Sequence, residues 1–164
     1  MQKVIGLKIN LRNLENKLAR QFYGCIKDLI ENKKLLELEN FTQHIKTSRL
    51  QHSINVAYYS FVICKFFGLD YKSAARAGLL HDFYLYDWRK NKQPEGRHAK
   101  AHPIVAVRNA KSITKLNRIE EDCILRHMWP LTFVPPKYLE SIIVSFADKY
   151  CACFEIITNF FDNK

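Results

Sequence analysis

The sequence predicts an all-α fold, and three observations carry that prediction. Glycine and proline number only 5 each in 164 residues, too few for a turn-dense β architecture. Apolar residues recur three and four positions apart in segment after segment, the spacing that lines one face of a helix. The breaks between those segments are helix-ending signals, such as Gly68 and the proline-bearing run WPLTFVPP from Trp129 to Pro136. The length suits one domain that buries a single core without disulfides or a structural metal. No internal repeat, linker or low-complexity block divides it.

In chain order, residues 1–46 read as an N-terminal helical region and 47–164 as the core. Leu11 to Leu38 sets Leu14, Leu18, Phe22, Ile26, Leu29 and Ile30 on one stripe, which predicts an amphipathic helix. Glu15, Asp28, Glu31 and Glu37 among its bases favour core packing over a membrane surface. Asn40 and Thr42 are placed to cap a short helical turn, with His44 on the surface. A helix from about Thr47 or Ser48 to Phe67 presents Leu50, Ile54, Ala57, Phe61 and Cys64, with His52 on an adjoining face beside Val56 and Tyr59.

Asp70 caps a further helix through Ala74, Ala77, Gly78 and Leu80 that closes on the adjacent His81 and Asp82. Its small residues allow close approach to a neighbouring helix. Phe83 to Lys100 breaks the period and reads as a loop beside that doublet, where substrate contacts are commonly carried. Pro103 fits the first turn of the next helix, through Val107 and Ala110, with His102 at its mouth. Asn117 caps another, with Glu120, Glu121 and Asp122 at the positive end of its dipole and His127 near its far end. The last helix, from about Lys137, carries Leu139, Ile142, Ile143, Phe146, Tyr150, Cys153, Ile156, Ile157 and Phe160. Asp148 sits in its middle, an expensive place for an acid unless a cation or a donor satisfies it.

A formal charge of +10, from 26 Lys and Arg against 16 acids, favours anionic partners such as phosphorylated small molecules. The bases are dispersed except between Arg89 and Lys100, so most of them read as a solvated surface and no specific nucleic-acid partner is expected. Cys25, Cys64, Cys123, Cys151 and Cys153 show no disulfide or zinc-knuckle spacing, which suits a reducing cytoplasm. Cys151 and Cys153 lie on an apolar helix and read as small hydrophobes. The start MQKVIGLKINLRN lacks a secretory apolar run, and no later run spans a bilayer uninterrupted by charge. A soluble cytoplasmic protein without a membrane partner is the expectation.

The chemistry concentrates on six residues spread one or two to a helix: His52, His81, Asp82, His102, His127 and Asp148. Imidazoles and carboxylates without thiolates suit a divalent ion, with manganese, iron, cobalt, nickel or zinc favoured and magnesium possible. His52, His81, Asp82 and Asp148 serve one ion; His102 and His127 add enough ligands for a second, with Asp82 bridging through its two oxygens. Such a pair activates a water and clamps a phosphoryl oxygen.

The ordered segments RLQHS around His52, GLLHDF around His81 and Asp82, AHP around His102, ILRHMW around His127 and SFADKY around Asp148 resemble the HD-domain metal-dependent phosphohydrolase superfamily. The resemblance covers most of the chain after about Ser48 and implies an HD-domain helical bundle. It also implies that His52, His81, Asp82 and Asp148 are the core ligands, with His102 and His127 as the extra histidines of two-metal members. Within the superfamily the pattern is most similar to bacterial HD proteins that include symmetrical dinucleoside tetraphosphate hydrolases. One departure stands out: many members place a phosphate-contacting Lys after the doublet, where this chain has Leu85 in HDFYLYD.

Phosphate recognition then falls to other bases, with Arg89 and Arg97 favoured because a guanidinium binds in a bidentate manner, and Lys90, Lys100 and Lys149 also available. Asp87 is a candidate to protonate a leaving group or orient water, with capping a turn as its alternative. His98 is a candidate phosphate contact that precedes the expected helix start; the alternative is an exposed loop histidine. Trp129 is a candidate to stack on a nucleobase or to pack its own loop. The expected function is hydrolysis of a phosphoester or phosphoanhydride in a small phosphorylated substrate, a nucleotide, at one or two divalent ions. The alternative is an HD-fold nucleotide sensor or interaction module with weak or absent turnover. The oligomeric state is open.

Overall fold

A computed structural model describes residues 16–87 and 98–161, and 70% of those residues are helical. The first helix, α1 (Lys17–Ile30), begins where the Asn16 side chain accepts from the Leu18 and Ala19 amides, and it buries Phe22, Ile26 and Leu29. The helix expected through Leu38 is interrupted. A second asparagine, Asn32, caps the Lys34 amide and starts the short α2 (Lys33–Leu36), which runs into a 3-10 turn (Glu37–Asn40). A side chain that competes for backbone amides ends one helix and starts the next.

The helical turn expected after Asn40 is instead a hairpin, β1 (Thr42–His44) paired antiparallel with β2 (Thr47–Ser48). Ile45 takes φ +46° at its tip. Helix α3 (Arg49–Phe66) opens with Ser48 accepting from the Gln51 amide and is the central element, with Leu50, His52, Ile54, Ala57, Tyr58, Phe61 and Cys64 buried. Gly68, at φ +70°, supplies the left-handed residue that lets the chain leave α3.

Helix α4 (Tyr71–Leu80) starts at Asp70, whose carboxylate accepts from the Ser73 amide and hydroxyl at 3.0 and 2.6 Å. It packs on α3 with almost no separation at Gly78. A Cβ there would stand 2.7 Å from Ala57 Cα and 2.9 Å from Ala57 N, both backbone atoms. That contact sets the depth at which His81 and Asp82, just beyond the end of α4, reach the interior.

Helix α5 (His98–Lys111) begins earlier than Pro103 suggested, so the proline lies inside the helix and His102 is a helical residue rather than one at its mouth. Helix α6 (Arg118–Arg126) has a full capping box between Asn117 and Glu120, and His127 follows its last turn. Helix α7 (Leu139–Phe161) closes the bundle and packs on α3, α4 and α6. Among the described residues no helix is long and apolar enough to cross a membrane.

Candidate metal centre

The six candidate ligands predicted from the sequence converge at one place, brought there by five helices. His52 comes from the first half of α3, His81 and Asp82 from the end of α4, His102 from α5, His127 from the end of α6, and Asp148 from the middle of α7. His52 Nε2 lies 3.0 Å from Asp148 Oδ1, and His81 Nε2 lies 3.5 Å from the same oxygen. Asp82 stands between two sets of imidazoles: its Oδ2 is 3.6 Å from His81 Nε2, while its Oδ1 is 3.3 Å from His102 Nε2 and 3.6 Å from His127 Nε2.

The outer nitrogens are already committed. His81 Nδ1 meets the Gly78 carbonyl at 2.7 Å and His127 Nδ1 meets the Ile124 carbonyl at 2.8 Å. A carbonyl only accepts, so each Nδ1 carries the proton and, in the neutral ring, each Nε2 presents a lone pair to the centre. His52 Nδ1 is held at 3.0 Å by Glu155, a fully buried carboxylate that also accepts from Asn55 Nδ2 at 2.8 Å. On the other side, Gln43 Nε2 donates to Asp82 Oδ2 at 2.5 Å, and Gln43 Oε1 accepts from Arg49 Nε at 3.0 Å. Arg49 is itself buried, stacked 3.6 Å over the Tyr84 ring and donating to the Tyr84 carbonyl at 2.6 Å.

This donor set fits a divalent cation. His81 Nε2 and Asp82 Oδ1 are buried and have no hydrogen-bond partner among the described residues, a cost of about 1–3 kcal/mol each if nothing satisfies them. His102 Nε2 and His127 Nε2 approach to 2.8 Å, where two lone pairs would repel and only one proton fits. His52, His81 and Asp148 form one group of converging ligand atoms, and His81, Asp82 and His127 form a second. A cation among them removes both orphans and the lone-pair conflict.

The electrostatics point the same way. Burial alone would raise the Asp82 pKa, but the His81, His102 and His127 rings overcome it and hold the carboxyl well below its usual range. Burial and the neighbouring His102 and His81 push His127 down to about 3, so its ring is neutral at any physiological pH. At His52 burial is outweighed by hydrogen bonds to Asp148 and Glu155, which raise the imidazole to about 10 when only protein surrounds it.

A cavity of about 350 Å³ opens onto these atoms, lined by Gln43, His44, Tyr84, Met128, Leu131, Lys149 and Ala152 beside the ligands. His44 is therefore not a surface residue: the hairpin turns it inward, half-buried, its ring 5.2 Å from that of His52. Lys149 borders the cavity but spends its three N–H bonds internally, on the His127 carbonyl at 2.8 Å and on the Ser145 carbonyl and hydroxyl at 3.1 and 2.9 Å. Leu85 is half-buried against the core.

Trp129 is 37% exposed, and the neighbouring Met128 and Leu131 supply the cavity wall instead. Asp87 is half-buried, and its charge supports the Arg49 guanidinium. Arg89, Arg97 and the side chain of His98 lie outside the described residues. Gln43, Arg49 and Glu155 were not singled out from the sequence. Glu155 had a legible signal, an acid two helical turns after Asp148 on the same face of an apolar helix; Gln43 had none.

No curated protein and no solved structure matches the chain. A family model, the HD domain, matches residues 49–153, a span that opens at Arg49 and takes in all six converging candidate residues. The match covers well over half of the sequence, and the chain belongs to the HD-domain superfamily of metal-dependent phosphohydrolases.

Proposed function

We propose that this chain hydrolyses a phosphoester or phosphoanhydride bond in a small phosphorylated compound, a nucleotide, with His52, His81, Asp82, His102, His127 and Asp148 holding one or two divalent ions. The observation that carries the reading is the place of Asp82, with one oxygen toward His81 and the other, unpartnered, toward His102 and His127. A divalent pair in such a frame supplies a nucleophilic water at neutral pH and a clamp on phosphoryl oxygens.

The chain's own residues set up that chemistry. The Gly78 and Ile124 carbonyls fix the tautomers of His81 and His127, Glu155 orients His52, and Gln43 holds the Asp82 carboxylate in one rotamer. Tyr84 borders the cavity, and burial together with the Asp82 charge raises its pKa, so its hydroxyl remains a donor at the wall. Met128, Leu131 and Ala152 give that wall an apolar surface for a base or sugar. A volume near 350 Å³ lies at the small end of ligand sites and favours a mononucleotide over a dinucleoside polyphosphate. Leu85 and Lys149 offer no free base to the phosphate, so Arg89 and Arg97 are proposed for that charge, and Asp87 for a proton or water contact.

The test is a hydrolysis panel of nucleotides, dinucleoside polyphosphates and cyclic dinucleotides with manganese, run on the natural chain and on Asp82→Ala. Phosphate release by the natural chain that falls by at least about a hundredfold in the variant supports the reading. Full activity in Asp82→Ala refutes it. Nucleotide binding without turnover would identify a sensor, the reading favoured by Leu85 standing at the usual Lys position.

A further inference from the structure

Helix α7 turns its charges inward, beside the buried Val144, Ala147 and Cys151. Its charged residues all turn toward the protein: Glu140 accepts from the Asp70 amide at 3.0 Å, Asp148 and Glu155 both meet His52, and Lys149 donates to the His127 carbonyl. Its outer face carries no charge along the 23 residues of the helix, and that face is apolar and open. Leu139, Phe146, Cys153 and Phe160 stand seven residues apart, with Ile143, Tyr150 and Ile157 between them, so apolar residues alternate at spacings of four and three. That alternation is the a/d repeat of a helix–helix seam.

The face is also large. Phe146 is 61% exposed, Ile157 54%, Phe160 62% and Phe161 66%, and Leu139, Ile142 and Tyr150 are exposed beside them. With aromatic side chains of roughly 150–250 Å² each, the strip offers on the order of 800 Å², one partner's share of a standard interface. Phe146 and Tyr150 already stack on each other, with rings 6.4 Å apart and 17° from parallel, so little side-chain freedom remains to be lost on docking.

We propose that α7 is the seam of a homodimer, in which a second copy of this chain lays its own α7 along this one about a two-fold axis. A repeat of this kind is self-complementary, which a two-fold contact requires. The net charge of +10 on each copy opposes self-association in general, and the uncharged strip is where two copies repel least. A lipid surface fits less well. Helices that lie on membranes carry Lys and Arg on their polar face, whereas the polar face of α7 is mainly acidic and packed inside the bundle. The proposal is independent of the metal site and of any activity there.

Sedimentation velocity on the full manganese-loaded chain tests it, with Phe146→Glu and Ile157→Lys as variants outside the cavity lining. The natural chain is expected to sediment as a dimer at about 10 μM, since interfaces of this size have dissociation constants of μM or below. Each variant is expected to weaken the dimer at least about tenfold while keeping its helical circular dichroism. Two separate positions guard against one variant failing to fold. A natural chain that stays monomeric, grows into open-ended aggregates, or remains dimeric in both folded variants overturns the proposal. So does a monomer that binds anionic phosphatidylserine vesicles through Ile157.

Discussion

Removing the side chain of Gln43 should loosen the metal centre without touching a ligand. Gln43 is the single bridge from the hairpin to Asp82 among the described contacts: its amide nitrogen donates to Asp82 Oδ2, and its oxygen accepts from the buried Arg49. In Gln43→Ala the carboxylate loses a charge-assisted hydrogen bond worth about 1.5–3 kcal/mol, and the freed carboxylate gains rotamers it must give up to bind a cation. The matching loss of metal affinity is about 10–100-fold, the range typical of partners that orient a ligand. Arg49 keeps its bond to the Tyr84 carbonyl and its stacking on that ring, so the fold should survive with about 1–2 kcal/mol less stability. Competition titration of manganese against a chelating dye reads the affinity, and thermal melts in excess chelator read the fold separately. A Gln43→Ala protein that binds manganese within about twofold of the natural chain would refute the reasoning, as would an affinity loss fully accounted for by unfolding.

Three further outcomes follow from the same geometry. Glu155→Gln keeps the shape of the side chain but removes the carboxylate that orients His52, so manganese affinity should fall by about 10–100-fold at nearly unchanged secondary structure; an unchanged dye titration would show that His52 needs no such support. Gly78→Ala forces a methyl group against the Ala57 backbone and should cost about 1–3 kcal/mol, a drop of roughly 3–10 °C in Tm that a melt in chelator would detect. In chelated protein the raised His52 pKa, about 10 against an ordinary 6.5, contributes stability that is complete below pH 6.5 and lost as pH rises through 10. Tm should therefore decline across that window without metal and decline less with manganese bound, where His52 is a neutral ligand; equal slopes in the two melting series would count against the assignment.

What the sequence determined by itself was local or strongly patterned. Helix caps at Asp70 and Asn117 rest on side chains that reach an amide three residues away, so their meaning is readable in place. The convergence of the six candidate ligands was legible because imidazoles and acids are costly on buried helical faces, and so many in order point to a shared use. The long helix expected from Leu11 to Leu38 failed where a polar side chain inside a continuous apolar stripe broke it, since Asn32 prefers capping a backbone amide to riding mid-helix. The hairpin at Thr42–Ser48 is too short to show a strand pattern, and with it Gln43 and His44 entered the centre without notice.

The tertiary structure alone decided which oxygen of Asp82 faces which histidine, that Lys149 is spent on the bundle, and which side of α7 is inside. The sequence places Leu139, Phe146, Tyr150, Ile157 and Phe160 on one helix without saying which way they face, and the side that faces the core carries Glu140, Asp148 and Glu155 beside Val144, Ala147 and Cys151. Periodicity fixes which residues share a face of a helix. Only the partners packed around it fix which face is buried, and here a cluster of imidazoles claimed the polar one.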